Sequence, residues 1–281
     1  MSSIFRTGPI LRGSLAAAAG LAVLAAPAVA QTPPSSPGKF RMTLAYEGKL
    51  IVKVLDVSIT QTADDNGYVT SAHLTSYGVL SAFKKINQTA TARGGIDHGV
   101  ARPSTFSHRN LANPKGRKID VRWAGGNVVT TATPAYGNLG HPPASLAQKL
   151  EAVDPVTGLM RLALADSPAQ VCNGTLKFFD GKQRYDLTFS GRTATTPNPR
   201  EKRMGLINTV RCRVVYRELA GFKEKPPEKR NQGLTKPINI SFGQAGPNGP
   251  WVISSMTGQT PLGAAVIELT RINASGATPE N

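Results

Sequence analysis

The stretch "LIVKVLDVSITQ", Leu50–Gln61, decides how this chain is read. Leu50, Val52 and Val54 share one two-residue phase, and Leu55, Val57 and Ile59 share the other. Successive side chains of an extended strand point to opposite faces, so a pattern that changes phase needs a bulge or burial on both faces. Bulges bend strands, and curved sheets and barrels use them. Just upstream, Phe40, Met42, Leu44 and Tyr46 alternate in "FRMTLAYEG". Just downstream, "DDNG" at Asp64–Gly67 signals a hairpin turn, and "YVTSAHLTS" returns as the partner strand.

The same period recurs along the chain. Ile119, Val121 and Trp123 alternate with charge, and "GGN" at Gly125–Asn127 turns the chain into "VVTTAT". Asp180-Gly181 makes a tight turn between Thr175–Phe179 and "QRYDLTFSGR", where Tyr185, Leu187 and Phe189 share one face. In "GLINTVRCRVVYREL" the phase of Leu206, Val210, Cys212, Val214 and Tyr216 is apolar, and that of Arg211, Arg213 and Arg217 is basic. "INISF", "WVISSMT" and "GAAVIELTRI" complete the set. About a dozen short strands with turn signals predict a mainly β fold, with a single curved antiparallel sheet forming an open or nearly closed barrel.

Helical spacing is confined to short stretches. "YGVLSAFKK" reads as one or two turns, with Val79, Leu80 and Phe83 spaced to cap a barrel mouth. In the middle, after the connector "PAYGNLGHPP", "ASLAQKLEAV" places Leu146, Leu150 and Val153 on one helical face. Asp154-Pro155 is a strong helix start, with Asp as N-cap and Pro at the first helical position. Val156, Leu159, Met160 and Ala163 then form an apolar stripe, which gives a short helical pair.

The first thirty residues point to export. Arg6 and Arg12 precede the apolar run "SLAAAAGLAVLAAPAVA", which ends in Ala28-Val29-Ala30 ahead of Gln31, a small-x-small cleavage pattern. The expected organisation is a signal peptide over 1–30, a Pro/Ser tether over 31–39, one β-rich domain over 40–273 and a frayed tail over 274–281. Cleavage would leave 281 − 30 = 251 residues and no further transmembrane segment, hence a periplasmic protein. The charge, 33 − 17 = +16, would become 31 − 17 = +14, a surplus that favours anionic partners.

Two cysteines, Cys172 and Cys212, make an even pair in an oxidising compartment and read as a disulfide. The enclosed loop implies roughly 3–4 kcal/mol of stabilisation in the chain-entropy account. Neither has the neighbours of a zinc site or of a redox pair.

No sequence pattern supports catalysis. His73, His98, His108 and His141 form no H-x-x-x-H pair; His98 in "GGIDHG" reads as a turn, His73 as a strand residue able to line a cavity, and His141 as loop. No G-x-S-x-G elbow or phosphate loop occurs, and Asp180 and Asp186 belong to a hairpin. Catalytic residues, metal and cofactor are therefore all expected to be absent. Two basic clusters are candidate anion-binding groups: Arg200, Lys202 and Arg203, then Lys223, Lys225, Lys229 and Arg230. Aromatic residues do not interleave with them, which argues against nucleic acid.

Five ordered segments carry a family resemblance: "FRMTLAYEGKLIVKVLDVSI", "SYGVLSAFKK", "RKIDVRWAGG", "AVDPVTGLMRLAL" and "DGKQRYDLTF", within roughly Phe40 to Tyr216. Together they resemble the domain of unknown function 3108 family, exported envelope proteins of proteobacteria. The resemblance implies a curved sheet around a central helix hairpin, similar to the open barrels of periplasmic lipoprotein carriers. It supplies no catalytic residues, and the cysteine pair is not part of its pattern. The expected function is non-enzymatic binding of a hydrophobic or amphipathic envelope component, such as a lipid or lipoprotein, in the sheet's concavity. The alternative is a structural or interaction module that meets an envelope protein or an anionic polymer, such as an anionic polysaccharide, through its basic outer face.

Overall fold

The computed structural model describes residues 39–113, 116–224, 237–260 and 263–275. The expected signal peptide, the tether up to residue 38 and the end of the chain from 276 lie outside these residues.

Seven strands run first as a meander: β1 (Phe40–Lys49), β2 (Lys53–Asp64), β3 (Gly67–Ser76), β4 (Asn87–Asp97), β5 (Val100–Asn110), β6 (Lys118–Ala124) and β7 (Asn127–Thr133). A helix, α1 (Gly78–Phe83), joins β3 to β4. Then come α2 (Leu146–Leu150), α3 (Pro155–Ala163) and α4 (Pro168–Val171). The second meander is β8 (Gly174–Phe179), β9 (Arg184–Ala194), α5 (Pro199–Arg203), β10 (Leu206–Ala220), β11 (Ile238–Ala245), β12 (Trp251–Thr260) and β13 (Gly263–Ser275). β1 pairs antiparallel with β13, so both meanders fuse into one 13-stranded antiparallel sheet whose edges are β7 and β8. The expected fold class is what the chain adopts, with the sheet unclosed between those two edges.

The expected bulge is real. Gly48 pairs with Leu55 and Lys49 with Lys53, which leaves Val54 out of register, so Val54 is buried while Leu55, Val57 and Ile59 turn to the interior. Leu50 and Val52 are not strand residues, however. They lie in the β1–β2 turn, where Ile51 is 100% exposed. At the far end, β13 continues to Ser275, so the sheet takes up the first two residues of the expected tail.

The wall wraps on itself. Gly181, in the β8–β9 turn, sits so close to Ile119, Val121 and Thr130 of β6 and β7 that a Cβ there would lie 2.5 Å from Ile119 Cγ2. The seam is therefore closed by side chains instead of ladder bonds. α2 lies across it: Trp123 Nε1 donates to the Lys149 carbonyl at 3.3 Å, and Arg184 Nε to the Gln148 carbonyl at 3.1 Å. Arg184 is fully buried, and its charge is met by Glu151 at 3.0 Å and Asp186 at 2.5 Å. Burial of a guanidinium needs such pairing.

Eight strands enclose an interior that side chains alone can fill, and a wider wall needs a further element inside. α3 is that element. Asp154 caps it, accepting from the backbone of Val156 and Thr157 at 3.0 and 2.8 Å. Val156, Met160 and Ala163 are buried against β3, β4, β5 and β12, as the stripe predicts. Gly158 lets the helix approach Phe178, where a Cβ would come within 2.2 Å of the ring. The expected α2 face fails. Leu146 and Leu150 are exposed, and Val153 has left the helix to bridge in parallel with Phe178. No helix among the described residues is long and apolar enough to cross a membrane.

Candidate functional site

α3 fills only one half of the barrel. The other half holds a cavity of about 520 Å³. Much of its lining lies toward the end of the wall that carries the β1–β2 turn, and Ile59, Ala72, Phe189 and Ile253 extend it deeper. Leu55 and Val57 stand near the start of β2, Leu74 near the end of β3, Ile119 near the start of β6, Met256 in the second half of β12 and Ile267 in the first half of β13. Leu159 and Leu162 of α3 form the floor. The wall is almost wholly aliphatic and aromatic because each strand turns one alternating set of side chains inward.

One side of the cavity is polar. His108 of β5 and Asp180 of the β8–β9 turn both line it, next to Tyr185. His108 Nδ1 is buried and has no hydrogen-bond partner among the described residues. Burial pushes the imidazole below its usual pKa, opposed by the Asp180 carboxylate and reinforced by Arg109. Asp180 is pushed above the usual carboxylate range by burial, and backbone N–H groups of Gln183 and Lys182 oppose that shift. Burial likewise raises the Tyr185 hydroxyl. The cavity thus sets an imidazole and a half-buried carboxyl against an apolar wall.

A second buried polar cluster is structural. Tyr68 Oη lies 2.6 Å from Thr157 Oγ1, which donates to Asp154 Oδ2 at 2.5 Å. Burial pushes the Asp154 carboxyl from 3.8 to about 6, opposed by the hydrogen bonds it accepts from Thr157 and Val156.

The disulfide is present: Cys172 and Cys212 are bonded, with Cα atoms 5.5 Å apart. Cys172 caps α4 and Cys212 points inward from β10, so the bond ties the helical segment to the wall. The basic candidates do not form one group. Arg200, Lys202 and Arg203 fall in α5, ahead of β10, whereas Lys223 follows the end of that 15-residue strand. At about 3.3 Å per residue the two sets stand at opposite ends of the wall. Arg200 is paired with Glu268 at 2.8 Å, and Lys202 and Arg203 are exposed. Lys225, Lys229 and Arg230 lie outside the described residues.

His73 is exposed and bonded to Asn87 at 2.8 Å, so it does not line the cavity. His98 sits in the β4–β5 turn at φ 47°, 3.5 Å from Asp97, and His141 is exposed. The histidine that lines the cavity, His108, carries a legible signal. It shares the phase of Phe106 in "ARPSTFSHR", and both face inward.

No curated protein matches the sequence. Among solved structures, a beta-barrel-like protein of domain of unknown function DUF1849 from Brucella abortus aligns at a TM-score of 0.49. It shares 13% identity over 86% of this chain and 100% of its own. The family model described as Protein of unknown function (DUF3108) matches residues 39–231, more than half of the sequence, and the chain belongs to that family.

Proposed function

We propose that this protein is an exported, non-enzymatic binding protein of the bacterial periplasm that holds a hydrophobic or amphipathic envelope component, a lipid or a lipoprotein's acyl chains, inside its barrel. The observation that carries this reading is the 520 Å³ apolar cavity, walled by inward side chains from both meanders. Ligand sites of roughly 300–1,000 Å³ with an apolar lining and few polar groups are the usual form of a small-molecule pocket. His108 and Asp180 give the occupant's polar head a place to hydrogen-bond. Export rests on the pattern of residues 1–30.

Native mass spectrometry of the purified protein, with solvent extraction of what it carries, tests the reading. A copurified amphiphile whose removal lowers the melting temperature is expected. A chain that carries none, and melts identically before and after extraction, would overturn it.

A second reading has its own observation. Arg211, Arg213 and Arg217 project from the outer face of β10, exposed and without a carboxylate partner among the described residues. They suit an anionic polymer or an acidic envelope protein, and such binding would weaken steeply with salt.

A further inference from the structure

The end of the barrel above the cavity differs from the rest of the surface. Among the described residues eleven large apolar side chains are exposed, and five of them stand on the loops of this end: Ile51, Val52, Tyr77, Leu111 and Leu139. Their loops adjoin. The Tyr77 N–H donates to the Val54 carbonyl at 2.8 Å, beside the β1–β2 turn. The Leu111 N–H donates to the carbonyl of Asn87, the first residue of β4, at 2.7 Å. Leu139 belongs to the connector that His141 fastens to Phe222, just past β10, at 2.9 Å. Four separate loops therefore ring one opening with aliphatic and aromatic tips. Such tips gain free energy when they leave water, and single scattered ones are ordinary while a ring of them is not.

Cations alternate with the tips. Lys84 and Lys85 end the α1 segment, Lys118 opens β6 and Lys223 follows β10; all four are exposed and lack a carboxylate partner among the described residues. Lys49 and Lys53 flank the Ile51 turn, shared with Glu47, Asp56 and Glu268, and Lys53 Nζ lies 4.7 Å from the Tyr77 ring centre. Glu224 follows Lys223 as an exposed acid, and Asp180 is turned inward.

A protein partner is best met by a continuous patch. Separate protruding apolar tips interleaved with lysines instead match the boundary of a bilayer, where tips enter the acyl edge and ammonium groups rest on phosphates. We propose that this end is a docking face for an anionic lipid bilayer, with Ile51, Val52, Leu111 and Leu139 entering the acyl boundary and Lys84, Lys85 and Lys118 resting on the headgroups. The proposal does not depend on a loaded cavity. Vesicle binding reads the docking face, and copurified ligand reads the cavity.

The test is co-flotation of the purified protein with vesicles of three parts phosphatidylcholine to one part phosphatidylglycerol, and with phosphatidylcholine alone. Binding to the anionic vesicles is expected, and weaker binding to the neutral ones. Ile51→Ser with Val52→Ser should lower partitioning at least about tenfold. Lys84→Gln with Lys85→Gln should lower it roughly tenfold on anionic vesicles alone. Ile51 is 100% exposed, so these variants should melt with the parent. Ile51→Trp should show a blue-shifted emission on adding anionic vesicles, and Val100→Trp, at the start of β5 at the other end, should not. No vesicle binding, variants that bind as the parent does, or equal emission shifts at both ends would each overturn the proposal and leave the ring to a protein partner.

Discussion

The two ends of the barrel are built from the same strands and are finished in opposite ways. At the filled end, the strands of the first meander are joined by tight polar turns: Asp65-Asn66 between β2 and β3, His98-Gly99 between β4 and β5, Gly125-Gly126 between β6 and β7. Beneath them α3 takes up the interior, with Met160 and Ala163 fully buried. At the other end the joints of that meander are longer, their tips are Ile51, Tyr77, Leu111 and Leu139, and the interior holds space. Close packing is therefore concentrated in one half and open space in the other. A hydrophobic side chain inside contributes to folding through its neighbours; the same side chain at a tip contributes nothing until something covers it.

That contrast can be broken by experiment. The largest effect is expected at the disulfide, which fastens the helical segment in the filled half. Cys172→Ser should lower the stability of the oxidised protein by about 4 kcal/mol, given a sequence separation of 40, and the difference should vanish in reductant. Denaturant titrations with and without reductant measure this, and equal losses in both would show that the bond contributes nothing. Next come two neighbours on α3. Met160→Ala, in the packed half, should cost about 3 kcal/mol, and Leu159→Ala, facing the cavity, about 1 kcal/mol. Equal costs would mean that the cavity collapses in solution.

The smallest effect concerns pH. With its carboxyl pushed from 3.8 to about 6, Asp154 keeps a proton in the folded protein that the unfolded chain has released. Its contribution to stability is then greatest below that window and declines as pH rises through it. Asp154→Asn, which retains an accepting oxygen for the cap, should flatten the slope of denaturation midpoint across about pH 4 to 6. Parallel slopes in parent and variant would show that burial does not raise this carboxyl.

Much of the wall was legible because strand alternation is local. The split between Cys212 and its flanking arginines identified β10 and the inward sulfur, and Asp154-Pro155 marked the start of α3. Where reading failed, the deciding contact was distant. Leu50–Val52 looks like strand because it is apolar, and only the β1–β2 pairing shows it to be a turn. Leu146 and Leu150 have helical spacing, yet α2 lies over a seam that leaves them in solvent. "NPREKR" reads as a basic cluster, yet Asn198 and Glu201 form the capping box of a helix, α5. The burial of Arg184 gave no local sign: Asp186 is a near neighbour, but Gln148 and Glu151, which complete its pairing, are more than thirty residues away. The cavity was expected only as a concavity, because its volume depends on how far α3 reaches and no single segment encodes that.

The missing ladder between β7 and β8 has a consequence for girth. A sheet closed by main-chain bonds has a circumference fixed by strand count and stagger. Here the last gap is spanned by Gly181 against Ile119, by Trp123 and by Arg184, contacts that can be exchanged one at a time. The bore is thus set at this margin by side-chain fit, where every other margin of the wall is set by main-chain pairing.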